Sequence, residues 1–349
     1  MKIASKIDNL KLEWDKINTS NFLRISFIEI FYINHKKIKH LFILDKDIRL
    51  YAHIFSFRFN KTTSYLKNRV LAFLIGYLNF NVLYLTNTFI TNIPAFISKK
   101  KINLDKILTA IKYSYNLLVI PDFVYNNIEN NDYKFHKIEV EEDMVLEIRK
   151  EWKNINDYTL DFKKKYKNKI KQVLKSSNEI KIKQLNHNDI INYSNEIKNL
   201  FYQVINESKF NGPLFNTNAF KSLIKQDIFK IYGYFINKDL IAFSSELREE
   251  NILYSYYVGF NKSLNKKKSI YSRILIETIN NAIMLKMNKV VFGRTANEFK
   301  SNFGAKPIKS YVYINIKNKY LKLFLLPIIK RLAIKNWKQR NPFKNNRII

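Results

Sequence analysis

Between Phe229 and Ile316 the chain reads as three short strands, a helix, a strand, a helix and a strand. No other feature limits its architecture as much as that order. The first three runs, FKIYGYFI, LIAFSSEL and ILYSYYVGF, are rich in β-branched and aromatic residues. Asn237-Lys238-Asp239 and Glu249-Glu250-Asn251 separate them as polar turns, which makes an antiparallel meander. After Ser269, apolar Ile270, Ile274, Ile279 and Ile283, flanked by Tyr271, Leu275 and Ala282, predict a helix with one buried face. VVFGR then reads as a fully buried strand. Ahead of the meander come a basic helix in FKKKYKNKIKQVLK (162–175), the strand EIKIKQL, and helices around 192–205 and 216–226.

The first half reads as a second mixed α/β unit. It has strands at HLFIL and RLYAHIFSF, a helix over 65–79, the strand VLYLTN, a helix over 104–115 and the strand LLVIP. Residues 125–152, with the polar run NNIENNDY and the acidic cluster in VEEDMVLEIRKEW, read as the joining segment. The expected division is therefore 1–150 and 151–349. A chain of 349 residues that is 46% hydrophobic and 15% aromatic can fill two cores, and with six glycines and six prolines it has no long flexible linker. Trp14, Trp152 and Trp337 are expected to anchor packing.

Zero cysteines exclude disulfides, thiolate chemistry and Cys-type zinc sites. The five histidines, His35, His40, His53, His136 and His187, show neither H-x-x-x-H nor H-E-x-x-H spacing, and no metal is expected. Sixty-one Lys and Arg against 29 Asp and Glu give a net charge of +32, a field that attracts nucleic acid, anionic lipid or phosphorylated substrates. A lysine-rich, AT-biased composition alone produces some of that excess. Its distribution is uneven, however, because no acidic residue follows Glu298 while thirteen Lys and Arg lie between Lys300 and Arg347. The basic helix and this tail either meet an anionic surface or keep the chain soluble. KLFLLPIIKRLAIKNWK is expected to form a basic amphipathic helix broken near Pro327, covering the sheet or lying on anionic lipid. The charged N-terminus, MKIASKIDNLKLEW, does not read as a signal peptide, which places the chain in the cytoplasm or peripherally at the inner face of the membrane. Residues 70–98 carry no charge, but the Asn, Thr and Pro within them argue against a membrane span.

Strand, two helices, three strands, helix, strand, helix, strand is the order of GNAT acyltransferases. YYVGF, KKKSIYSRILIETINNAI and KVVFGRTANEFKSNFGAKP resemble the closing half of tandem-GNAT proteins related to Fem-type peptidoglycan aminoacyltransferases. LYLTNTFI and LLVIPDF are similar to a degenerate first GNAT unit of an uncharacterised bacterial branch. The resemblance implies a mixed α/β (α+β) protein with two GNAT-like domains, each a mostly antiparallel mixed sheet flanked by helices. It also implies transfer of an acyl group from acetyl-CoA or another acyl-CoA to an amine-bearing acceptor, lipid- or nucleotide-linked, in cell-envelope or related biosynthesis. The alternatives are a Fem-like enzyme using aminoacyl-tRNA, which brings tRNA in as a partner, and a non-catalytic tandem-GNAT scaffold. A plain nucleic-acid-binding protein is disfavoured, since no recognition-helix, zinc-finger or RNP-type motif is present.

The candidate site residues follow from these positions. Many acetyl-CoA enzymes of this superfamily cradle the pyrophosphate in a glycine-containing Q/R-x-x-G-x-G/A loop. Here the corresponding stretch has no glycine, and Lys267, Lys268, Ser269, Ile270 and Tyr271 at a helix N-terminus are the candidate cofactor-binding residues. A solvated lysine turn with a Ser cap explains them equally. Strand alternation sends Tyr256 and Tyr257 to opposite faces, so that they compete for the role of proton donor or substrate holder. Glu246 is the candidate base, or else an exposed strand Glu paired with Arg248 or a lysine. Arg294, at the end of VVFGR, can clamp a carboxylate or phosphate. Thr295 and Asn297 follow it as candidate substrate-binding residues. The resemblance carries the cleft lysine of the F-K-x-x-F-G run onto Lys300. Replacing Arg294 or Lys300 is expected to reduce turnover more than thermal stability.

Overall fold

The computed structural model of the chain describes residues 1–8, 10–16, 20–58, 73, 77–129, 132–207, 212–331 and 336–344. Thirteen strands lie among the described residues. In chain order they are β1 (Lys2–Ala4), β2 (Lys39–Leu44), β3 (Ile48–Arg58), β4 (Asn79–Tyr84), β5 (Phe96–Ser98), β6 (Leu117–Pro121) and β7 (His136–Glu147), then β8 (Lys181–Gln184), β9 (Phe229–Ile236), β10 (Asp239–Glu249), β11 (Ile252–Phe260), β12 (Lys289–Val291) and β13 (Lys306–Ile316). The expected meander is β9 to β11. Its two tight turns place Asn237 (φ 55°) and Glu250 (φ 50°) in the left-handed region.

Two compact units share the chain. The first takes residues 1–140, 209–219 and 309–335, and the second takes 141–208, 220–308 and 336–349. Within the first the strand order is β1-β2-β3-β4-β6-β13, with β5 beside β3; within the second it is β8-β9-β10-β11-β12-β7. The two orders correspond position by position. In each unit three consecutive antiparallel strands lead to one parallel pair, β4 with β6 and β11 with β12. The sixth strand then pairs antiparallel, β13 on β6 and β7 on β12. Each unit is a mostly antiparallel mixed sheet flanked by helices.

This division is more interleaved than a single cut near residue 150. The segment read as a connection contains β7, whose residues 141–147 complete the second sheet, and residues 309–316 of β13 complete the first. The physical cause is edge satisfaction: the parallel strands β6 and β12 would each expose a row of peptide groups without a sixth strand.

Local differences have local causes. The strand expected at 82–87 begins at Asn79, because Asn79 and Asn81 face solvent while Phe80 and Val82 are buried, a clean period of two. The helix expected over 65–79 otherwise lies outside the described residues. Pro327 does not break its helix, which runs Lys319–Arg331 and buries Leu325, Ile328 and Ile329 against Phe80, Val82 and Leu117. Among the described residues, no helix is long and apolar enough to cross a membrane.

Two helices cover opposite faces of the second sheet. Helix Ile270–Met284 buries Ile274, Leu275, Ile279 and Ile283. Helix Ser194–Ile205 crosses β11 at Gly259, where an added Cβ would lie 2.4 Å from the Phe243 ring and 2.7 Å from the main chain of Leu200 and Phe201. Only glycine permits that approach.

The first unit encloses three histidines whose tautomers follow from their partners. The Asn216 amide donates to His35 Nε2 at 2.9 Å, the Tyr51 hydroxyl lies 2.6 Å from His40 Nδ1, and the Thr88 amide donates to His53 Nδ1 at 3.2 Å. His40 Nε2 faces the His35 carbonyl at 3.1 Å, which puts the His40 proton there and leaves Nδ1 to accept. Protonation would remove an acceptor from each ring. Burial pushes His35 and His40 down to about 4, and pushes His53 well below the usual histidine range. Between 6.5 and 4 the unfolded chain therefore binds protons that the folded unit refuses, and stability falls as the pH falls through that window. Hydrogen exchange of β2 and β3 peptides is expected to accelerate toward pH 4; unchanged protection there would refute this.

Candidate functional site

The candidate site of the second unit lies where β11 and β12 part. Only Ile252, Leu253 and Tyr254 pair with β12, at Lys289, Val290 and Val291, and β11 continues to Phe260 paired with β10 on its other side. Immediately beyond the parting lies a β-bulge. Ser244 pairs with Val258 and Glu246 with Ser255, so Tyr256 and Tyr257 together oppose the single residue Ser245. The Ser245 hydroxyl accepts the Tyr257 amide at 2.9 Å and donates to the Tyr257 carbonyl at 2.8 Å, which holds the bulge in shape.

That bulge corrects the expectation of opposite faces. The extra residue cancels one alternation, and the Tyr256 and Tyr257 rings stand 4.3 Å apart, against Phe229 and Phe201 respectively. Burial pushes both phenols well above 10. At neutral pH both hydroxyls keep their protons.

Glu246 does not join them. It is 2% exposed, not an exposed strand residue paired with Arg248 or lysine, and it lies on the face that carries helix Ile270–Met284. Asn281 Nδ2 donates to its two oxygens at 3.0 and 3.2 Å. Burial raises its carboxyl to about 8, opposed by Asn281 and Thr278 and assisted by the charge of Glu277.

The turn after β12 holds the remaining candidates. Gly293 (φ 70°), Thr295 (φ 69°) and Ala296 (φ 51°) all adopt the left-handed region, a concentration of strain for the two non-glycine residues. Lys300, 3% exposed, spans the turn from beneath and donates to the carbonyls of Phe292, Gly293 and Arg294 at 3.0, 3.0 and 2.8 Å. Burial pushes its ammonium down to about 7 against the pull of Asp143 and Glu141. All three of its protons serve the main chain, so Lys300 positions the turn. Arg294 is half-exposed; its Nε lies 3.7 Å from Asp143 in a loose ion pair and makes no hydrogen bond. Thr295 is exposed. Asn297 donates to Glu142 at 3.4 Å, which also accepts the Trp337 indole at 2.9 Å.

The candidate cofactor loop differs from expectation. Lys262–Lys268 is a short helix capped by Asn261, and Ser269 (φ 51°) does not cap the helix that follows. Asn265 Oδ1 instead accepts the Tyr271 amide at 2.9 Å, and Lys268 pairs with Glu179 at 2.6 Å. Ile270 is buried and takes no part in a surface. Tyr271 stacks on Phe299 at 5.3 Å.

Phe299 also lines a pocket of about 500 Å³, with Lys165, Tyr166, Lys169, Glu298 and Arg340. Lys169 stands 5.6 Å over the Phe299 ring, and Arg340 pairs with Glu298. Burial, Arg340 and Lys165 together lower the Lys169 pKa, the mark of crowded cations that an incoming anion would relieve. Sequence reasoning identified the basic helix and the tail, but nothing in their spacing shows that Lys169 and Arg340 meet. It also missed Ser245, Asn281 and Asn265, since small polar residues carry no pattern of their own. Among the described residues no group of three His, Asp or Glu side chains can hold a metal.

Comparison with solved structures now bears on the arrangement. No family model matches the chain, and no curated protein does. L-PGS from Bacillus licheniformis is similar at a TM-score of 0.54 and 9% identity, over 95% of this chain and 98% of that one. The fold is GNAT-like. A conserved protein of unknown function from Bacteroides thetaiotaomicron VPI-5482 matches at 0.51 and 12% identity over 91% of this chain and all of the other. FemX matches at 0.50 and 8% identity over 93% of this chain and all of its own. Identities this low carry the fold alone.

Proposed function

We propose that the second unit transfers an acyl group to an amine acceptor in cell-envelope or related biosynthesis. The observation that carries this reading is the parting of β11 from β12 at the Tyr256-Tyr257 bulge, in a GNAT-like fold. The acceptor nitrogen attacks the donor carbonyl and gives up a proton to water; a C–N bond forms, the bond to the leaving group breaks, and Tyr256 or Tyr257 donates a proton to that group and regains one from the water that took the amine's. Arg294 holds a carboxylate or phosphate of a substrate, with Thr295 and Asn297 beside it. The basic pocket next to Tyr271 takes a phosphorylated part of the donor.

Acyl-CoA is the first donor to test. A Fem-like aminoacyl-tRNA donor is favoured by two observations: Asn265 already occupies a helix amide that a pyrophosphate cradle needs, and the elevated phenol pKa suits protonation of an ester's alkoxide better than of a thiolate near 8.5. Calorimetric titration with acetyl-CoA, longer acyl-CoAs and bulk tRNA, at moderate and high salt, separates the readings. Saturable CoA binding that survives salt supports acyl-CoA. Salt-sensitive binding of tRNA that depends on aminoacylation supports the ester donor. Binding of neither would leave a scaffold and sink the proposal.

A further inference from the structure

The surface helix Lys319–Arg331 is apolar on both sides. Its inner side packs Leu325, Ile328 and Ile329 into the first unit's core. A surface helix ordinarily turns polar residues outward. Here Tyr320, Leu323 and Phe324 face outward and are 79%, 68% and 47% exposed, with exposed Pro327 between them and Lys330. At 100° per residue, Lys319, Tyr320, Leu323, Pro327 and Lys330 form one stripe opposite the buried side.

Charge decides what such a stripe can meet. Lys319 and Lys330 lie along it and Lys322 borders it, and the helix itself carries no acidic residue. Lys322 and Lys330 also add to burial in lowering the His136 pKa, which places both cations in one local positive field. A protein partner would have to supply an apolar groove with an acidic rim. An anionic bilayer supplies both components at once: a headgroup layer that attracts lysines and an acyl boundary that accepts Tyr, Leu and Phe.

We infer that helix Lys319–Arg331 docks the protein on an anionic lipid surface, inserting Tyr320, Leu323 and Phe324 while Lys319, Lys322 and Lys330 contact headgroup phosphates. The helix lies in the plane of the interface and does not cross it. This assignment is independent of the acyl-transfer reading.

Co-sedimentation of the full chain with vesicles tests it, using phosphatidylcholine alone and phosphatidylcholine mixed with phosphatidylglycerol. The wild type is expected to bind the mixed vesicles, weakly or not at all the neutral ones, and to release at high salt. Lys319→Gln and Lys322→Gln should each weaken binding about fivefold. Leu323→Glu with Phe324→Glu should abolish it with the thermal midpoint unchanged, because both side chains are exposed. No binding to the mixed vesicles, or equal binding by the Leu323 and Phe324 variant, overturns the inference. Self-association that this variant abolishes, without vesicle binding by the wild type, also overturns it and assigns the stripe to a second copy of the chain.

Discussion

Replacing Glu246 with glutamine should stabilise the second unit at pH 8 and change it little near pH 4.5. The carboxyl is buried between β10 and helix Ile270–Met284, with its oxygens held by Asn281, and burial raises it from 4.5 to about 8. Between those values the folded unit keeps a proton that the unfolded chain releases. The stability this group contributes is therefore full below pH 4.5 and is lost as the pH rises through 8. The rise from 4.5 to about 8 corresponds to an upper bound of about 5 kcal/mol, and relaxation around the charge reduces the expected effect to roughly 2–3 kcal/mol. Glutamine keeps the shape, accepts from Asn281 and removes the titration. Urea unfolding of both proteins across pH 4.5 to 8 should give curves that diverge with rising pH; parallel curves would refute the assignment. Activity should persist in the variant, because a carboxyl protonated at neutral pH on the face away from Tyr256 and Tyr257 cannot act as the base.

The fate of Glu246 shows which parts of the site its sequence could reveal. The meander, its turns and helix Ile270–Met284 were legible because β-branched runs and helical spacing are local signals. The parting at Tyr254 has no local signal, since nothing in VVFGR says that pairing stops at Val291. Alternation predicted opposite faces for Tyr256 and Tyr257. The bulge at Ser245 cancels that alternation, and a serine in LIAFSSEL does not announce that its hydroxyl will replace a ladder bond. Glu246 reads as a base or as an exposed glutamate for a related reason: its burial depends on Thr278 and Asn281, which lie more than thirty positions away. The interleaved sixth strands were hidden similarly. HKIEVEEDMVLE alternates well enough to be a strand, but its partner β12 lies far downstream, and its acidic cluster reads as part of the joining segment.

Lys300→Met should cost the second unit about 3–5 kcal/mol, against less than about 1 kcal/mol for Arg294→Ala. The structure separates the roles of the two residues. Lys300 is buried and gives all three protons to the carbonyls of Phe292, Gly293 and Arg294. Methionine fills similar volume but donates nothing, which takes a donor from the carbonyls of Phe292 and Arg294 and leaves Gly293 with the Met144 amide at 3.2 Å. Relief of the buried charge offsets part of that loss, which keeps the expected cost below the sum of three charged hydrogen bonds. Those bonds also hold Thr295 and Ala296 in left-handed conformations that persist only while their surroundings insist on them. Hydrogen exchange across 292–297 should therefore rise in Lys300→Met and stay near wild type in Arg294→Ala. Arg294, with one loose ion pair to lose, should instead affect substrate binding or turnover. A Lys300→Met protein with wild-type stability and an ordered turn would remove the positioning role and return Lys300 to the cleft as a group available to substrate.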